Sequence, residues 1–260
     1  MGETVNVVRD ARRRAAATRG GAYRVAARSG VALALGTLLL AAAPAVRATS
    51  DAELATNARL LASARNDDAP GVVRALHDGA AVDSRNRLGE TGLLIALKKD
   101  RADMAQALLA AGADVNLPAI NGVTPLMAAA YAGNLEMTRT LLERGAAIAA
   151  VDRLGKNAIT YAAGEGHTSV VRLLLAHGVD PNGIYRNDLT ALMWAAGYGH
   201  ADTARALIEA GARIEIVDNR GKTALDMARE FKHAETVDVL ERALAATPNR
   251  AAAGSTATVR

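Results

Sequence analysis

From about residue 79 onward the apolar positions come in two short bursts, pause, and return 33 residues later. Paired large residues mark one burst: Leu108-Leu109, Leu141-Leu142, Leu174-Leu175 and Leu207-Ile208. Alanines mark the other: Ala96, Ala129, Ala162, Ala195 and Ala228. Glycines punctuate the pattern at Gly79, Gly112, Gly145, Gly178 and Gly211, and in a second series at Gly89, Gly122, Gly155 and Gly221, with Asp188 in the fourth place. Independent registers sharing one period define an internal repeat, and such a repeat predicts a stack of similar units.

The stretch "NGVTPLMAAAYAGN" (121–134) shows what one unit does. Its first glycine opens a turn where a positive φ is convenient, and Asp188 is a tolerable substitute because aspartate enters the left-handed region more readily than most residues. Thr124 is placed as a helix N-cap and Pro125 in the first turn, where a missing N–H costs nothing. The alanines of "PLMAAAYAG" let a second helix approach closely. That helix, "LEMTRTLLERG", carries Leu135, Met137, Leu141 and Leu142 at helical spacing, and Gly145 ends it in the left-handed conformation. One such unit cannot bury its apolar face alone, whereas a stack can.

A unit reading "GVTPLMAAAYAGNLEMTRTLLERGAAI" resembles an ankyrin repeat, with its Gly-x-Thr-Pro-Leu start and Leu-Leu-x-x-Gly-Ala end. The resemblance implies an all-α fold, an ankyrin-repeat solenoid of about six helix-turn-helix units with β-turn fingers. Four units fall at 88–120, 121–153, 154–186 and 187–219, after an N-terminal cap and degenerate repeat at 49–87 and before a capping repeat at 220–246. "KNAIT" (156–160) lacks the Thr-Pro pair, so that helix is expected to fray at its start. Gly92 replaces proline in "ETGLL", and Leu244 stands where a glycine would close another helix.

The flanks read differently. Residues 1–30 are arginine-rich, "VALALGTLLLAAA" (31–43) is apolar, and Val46 and Ala48 occupy the small-x-small positions before a cleavage point, so residues 1–48 are expected to be a secretory signal peptide. The apolar run is shorter than the roughly 20 residues that span a bilayer comfortably, which leaves an uncleaved anchor as the second reading. Residues 247–260 are small and polar and are expected to be a disordered tail.

Removing the leader changes the charge. The chain holds 31 basic and 27 acidic residues for a net +4, but eight arginines and two acids lie in 1–48. The remainder has 23 basic against 25 acidic residues, a net of −2, so a basic-patch case for nucleic acid fails. Cysteine is absent, which excludes disulfides, thiol nucleophiles and thiolate metal sites. His167, His200 and His233 recur at the repeat period. They are expected on successive layers, bonding backbone rather than sharing a metal. "NRGKTAL" (219–225) ends like a phosphate loop, but Ile216 stands where that motif needs glycine. No catalytic constellation, metal site or cofactor site emerges, and the expected protein is not an enzyme.

What remains is a surface. The resemblance implies that a partner protein binds the turn tips and the exposed face of the first helices. Carried over by position, the tip residues are Arg87, Leu88, Glu90, Ile120, Asn121, Val123, Arg153, Leu154, Lys156, Arg186, Asn187, Leu189, Arg220 and Lys222. The helix-face residues are Lys98, Lys99, Tyr131, Glu165, Tyr198, Glu230 and Phe231. Aromatic rings flanked by Arg and Lys have the composition of binding hot spots. Trp194 and Tyr161 share the register of the consensus leucine and are expected in the core. The reading is thus an exported, monomeric bacterial scaffold or helper, periplasmic or secreted, binding another protein without stable membrane insertion. Similar exported bacterial ankyrin proteins have been linked to supporting periplasmic enzymes such as catalases, a role that the resemblance, not the residues, brings into view. A secreted effector acting on host proteins and a membrane-anchored assembly factor are the alternatives.

Overall fold

The computed structural model describes residues 50–246; the expected signal peptide and tail fall outside these residues. Among the described residues twelve α-helices follow one another in pairs. The pairs are α1 (Asp51–Arg65) with α2 (Ala69–His77), α3 (Gly92–Lys98) with α4 (Ala102–Ala110), and α5 (Pro125–Ala132) with α6 (Leu135–Glu143). They continue as α7 (Ala158–Gly164) with α8 (Thr168–Ala176), α9 (Ala191–Gly197) with α10 (Ala201–Glu209), and α11 (Ala224–Glu230) with α12 (Ala234–Ala246). The odd-numbered helices from α1 to α11 pack in one inner row and the even-numbered helices in a parallel outer row. Between pairs an extended finger projects on the inner side, closed in one case by a single 3-10 turn at Arg186–Asp188.

From α3 onward each inner helix is short, seven or eight residues, because both of its ends are fixed by the repeat. Its start is capped by a side chain that accepts the N–H three residues on: Thr91 from Leu94 (3.2 Å), Thr124 from Met127 (3.3 Å), Thr190 from Met193 (3.3 Å) and Thr223 from Asp226 (3.2 Å). The third repeat departs from the expectation of fraying. Asn157 Oδ1 accepts from the Thr160 N–H at 3.2 Å while Thr160 Oγ1 accepts from the Asn157 N–H at 2.9 Å, a complete reciprocal cap. Asparagine is as good an N-cap as threonine, so the missing Thr-Pro pair leaves no loose end.

The layers meet on alanine. Ala96, Ala129, Ala162, Ala195 and Ala228 are all fully buried, and the large side chains Leu108, Leu141, Leu174 and Leu207 fill the space beside them. Histidine ties one layer to the next. The Nε2–H of His167 donates to the Tyr131 carbonyl (2.9 Å), that of His200 to the Gly164 carbonyl (2.9 Å) and that of His233 to the Gly197 carbonyl (3.0 Å). Each bond satisfies a carbonyl at the C-terminal end of the preceding inner helix, which the helix itself leaves open. The ring needs room: a Cβ on Gly133 would sit 2.4 Å from His167 Nδ1, and the φ of +73° there already favours glycine.

Candidate protein interface

The finger side of the stack is built from two registers that face each other. Residues 90, 123, 156, 189 and 222 stand on the fingers, and residues 98, 131, 164, 197 and 230 stand near the ends of the inner helices. At the first finger Glu90 accepts from Lys98 Nζ at 2.7 Å and from Asn86 Nδ2 at 2.8 Å. Partial burial alone would raise the Glu90 pKa, but these donors hold it below the usual carboxylate range. At the last finger the order is reversed, with Lys222 Nζ donating to Glu230 at 2.5 Å. Val123 is half-buried against the core, so packing rather than display occupies it.

The third and fourth fingers meet glycine, Gly164 and Gly197, and there the pattern opens. Among the described residues no carboxylate pairs with Lys156. Its Nζ instead lies 3.9 Å from the Trp194 ring centroid and 5.4 Å from that of Tyr161. Trp194 stacks on Tyr198 (centroids 6.0 Å apart, 9° between planes), and Tyr161 meets Tyr131 edge-on at 6.0 Å. Beside this ladder lies a cavity of about 420 Å³, walled by Leu189, Met193, Trp194, Tyr198, Met227 and Phe231 and bordered by Gly197 and Arg220.

Trp194 and Tyr161 are therefore only half-buried, Trp194 packing against the edge of the core, where the expectation from their register placed both inside it. Ile95, Ala128 and Met227 occupy that register elsewhere and are buried. The indole and phenol are too large for the same layer and emerge, half-buried, at the finger bases. The Tyr161 hydroxyl donates to Asp152 Oδ2 at 2.6 Å. Burial first, and the Asp152 carboxylate second, push its pKa well above the ordinary phenol value.

Sequence reasoning missed the residues that shape the fingers. Asn86, Asp152 and Asp218 each turn a side-chain oxygen onto two backbone N–H groups of their own finger. Asn86 accepts from residues 88 and 90, Asp152 from 154 and 156, and Asp218 from 220 and 222, all between 2.8 and 3.0 Å. Burial would raise the pKa of Asp218, but these N–H groups and the Arg220 guanidinium hold it below the usual carboxylate range. The recurrence of Asn or Asp at twice the repeat period was the available signal.

The remaining predicted positions are all at the surface but do not form one face. Tyr131, Glu165, Tyr198 and Phe231 lie exposed along the ends of the inner helices. Arg87, Ile120, Arg153 and Arg186 are exposed on the fingers, as are the tip residues Asn121, Leu154, Asn187 and Arg220. Asn121 is partly spent on its own turn, where it accepts from the Val123 N–H at 3.2 Å. Asn187 holds a φ of +63° and Asp188 one of +59°. Among the described residues no group of histidines, cysteines and carboxylates is arranged to hold a metal ion, and no helix is long and apolar enough to cross a membrane.

Paired helices stacked in two rows with projecting fingers define a helical repeat solenoid. The family model for ankyrin repeats (three copies) matches three overlapping stretches, residues 60–152, 111–185 and 160–251. The chain belongs to the ankyrin-repeat family, whose repeats are in general protein–protein interaction modules. No curated protein matches the chain.

Proposed function

We propose that this chain is an exported, non-catalytic binding module, a periplasmic or secreted scaffold or helper, that seats a partner protein's apolar side chains in the groove between finger bases and inner helices. One observation carries the reading: the cavity of about 420 Å³ walled by Trp194, Tyr198 and Phe231 stands open where Gly197 offers no side chain. Apolar area removed from water there contributes about 25 cal/mol per Å², and aromatic anchors of this kind dominate interfaces. Export rests on the leader-like residues 1–48 and on the near-neutral charge that remains without them.

The test is in-cell crosslinking of C-terminally tagged protein, followed by mass spectrometry of what is captured and of the protein's own N-terminus. Capture of one exported protein by wild type, lost with Tyr198→Ala and Phe231→Ala, supports the groove. Capture that survives both changes moves the seat elsewhere. A mature N-terminus at Thr49 supports export with cleavage. An intact N-terminus favours the membrane-anchored assembly factor, and a partner found only outside the producing cell favours the effector.

A further inference from the structure

A finger needs only one oxygen from the residue that bends it. Asn86 Oδ1 bends the first finger by accepting from the N–H groups of residues 88 and 90. Asp152 Oδ1 does the same for residues 154 and 156 in the third. The second oxygen of the carboxylate is therefore left over. In the fifth finger the spare oxygen of Asp218 is taken by Arg220, whose Nε and Nη2 both lie 2.8 Å from it. Asp152 is buried and pairs with no cation among the described residues. Its Oδ2 accepts from the Tyr161 hydroxyl at 2.6 Å. The scaffold does not ask for this bond, because Ile95, Ala128, Trp194 and Met227 stand at the position of Tyr161 in the other repeats and none carries a hydroxyl. A buried carboxylate with one oxygen fixed and the other against a phenol is a placed proton acceptor.

The phenol belongs to a chain of rings. The protein has five tyrosines, one tryptophan and one phenylalanine, and four of these rings follow one another through two repeats. Exposed Tyr131 meets Tyr161 edge-on at 6.0 Å, and Trp194 stacks on exposed Tyr198 at 6.0 Å. Lys156 Nζ joins the two pairs, 5.4 Å from the Tyr161 centroid and 3.9 Å from that of Trp194. Aromatic rings at such separations exchange an electron readily, so a vacancy created at either exposed end can travel inward. The ammonium decides where it rests. Trp194 oxidised in place would be a cation beside a cation, and that repulsion grows as the separation shrinks. Tyr161 sheds its positive charge on oxidation, because its proton has somewhere to go. Among the described residues nothing accepts from the hydroxyls of Tyr131 and Tyr198.

We propose that Tyr161 is a redox-active tyrosine, oxidised by one electron while Asp152 takes its proton, and that Tyr131, Trp194 and Tyr198 relay the electron to the surface. The oxidant is of the class of oxygen-centred radicals. A peroxyl radical meeting Tyr131 or Tyr198 gains one electron, takes a proton from solvent and leaves as a hydroperoxide. Tyr161 loses that electron, its O–H bond breaks, and the proton passes to Asp152 Oδ2, leaving a neutral phenoxyl radical beside a neutral acid. The acid then donates back to the phenoxyl oxygen along the same hydrogen bond and holds the radical in place. The proposal stands apart from the groove reading and needs no bound partner.

The purified chain would be oxidised one electron at a time by tris(bipyridine)ruthenium(III) generated in a laser flash, with radicals followed by transient absorption and by electron paramagnetic resonance after rapid freezing. Wild type is expected to give a persistent tyrosyl signal whose rate of formation does not depend on buffer concentration, since the base is internal. Tyr161→Phe, which keeps the ring, removes that signal. Asp152→Asn keeps the finger, as Asn86 shows in the first, but its amide cannot take a proton, and the yield falls at least about tenfold. Lys156→Met shifts part of the signal to the tryptophanyl radical of Trp194. A tyrosyl signal unchanged in Tyr161→Phe or in a folded Asp152→Asn overturns the proposal. So does formation in wild type that follows buffer concentration, the mark of exposed phenols alone. Should Asp152→Asn fail to fold, pulsed resonance of wild type in D2O decides: an exchangeable deuteron bonded to the phenoxyl oxygen supports the pair, and its absence overturns it.

Discussion

Gly197→Leu is the sharpest probe of the groove, because the structure separates its effect on folding from its effect on binding. A Cβ built on Gly197 meets nothing within 4 Å, and the position needs no positive φ. Glycine costs a helix interior about 0.8–1 kcal/mol relative to alanine, and Gly197 is the last residue of its helix, so the gain from replacing it is a fraction of that. Partial burial of the new carbons in the cavity adds to it at up to about 0.8 kcal/mol per fully buried CH2. Stability is therefore expected to stay level or rise by up to about 1 kcal/mol, which is about 2–4 °C in Tm for a domain of this size. The leucine occupies the seat between Trp194 and Phe231, so crosslinked capture of the partner falls at least about tenfold if that seat supplies even 1.4 kcal/mol of the binding. Gly197→Ala is the control that leaves most of the cavity open. Trp194 is the chain's only tryptophan, so its emission reports directly on the groove, and a blue shift is expected as leucine excludes water from the indole. A Tm lowered beyond error would show that the position is not open. Unchanged emission would place the leucine away from Trp194. Undiminished capture by a stable variant would refute the groove as the seat.

Lys156→Met removes the cation over Trp194 and Tyr161 and is expected to cost about 0.5–1 kcal/mol in urea unfolding, with a change in Trp194 emission; no change in either would show that the contact is not formed in solution. Ala162→Leu, at a fully buried layer contact, overpacks the stack and costs about 1–3 kcal/mol; wild-type thermal unfolding would refute the register. For Asp218, a folded pKa below the unfolded value near 3.9 means that its contribution is complete above that pH and is lost as pH falls through the folded value. Asp218→Asn should therefore be the less stable protein at neutral pH and converge with wild type in strong acid, measured by denaturant midpoints along a pH series. A gap that persists into strong acid would point to a lost contact independent of charge.

The layers were legible because the period acts on packing. Ala162 can be assigned to the interior from sequence, since a residue repeating in the closest helix–helix contact must stay small in every copy. The histidines were legible for the same reason: their spacing placed one per layer and left the backbone as partner. Asn157 was misread because the Thr-Pro pair was treated as the cap, when the cap needs only a side-chain oxygen ahead of the first turn. Trp194 was misread because it was given the register of the consensus leucine, which the 33-residue step assigns to buried Leu126, Ile159 and Leu192; Trp194 stands two residues further on, where a large ring is only half-buried.

The proposed interface arises by subtraction. Where an inner helix ends in Lys98 the finger answers with Glu90, and where it ends in Glu230 the finger answers with Lys222. Such partly exposed pairs contribute little to stability, and being already satisfied they offer a partner little. Between them the helices end at Gly164 and Gly197, the finger residues Lys156 and Leu189 find no matching side chain, and aromatic surface that a filled register would cover stays open. Binding energy of useful size comes from apolar area removed from water far more than from rim charge. On the proposed reading, the two repeats that leave their own register empty would therefore supply the affinity, and the paired ends would set which partners are tolerated.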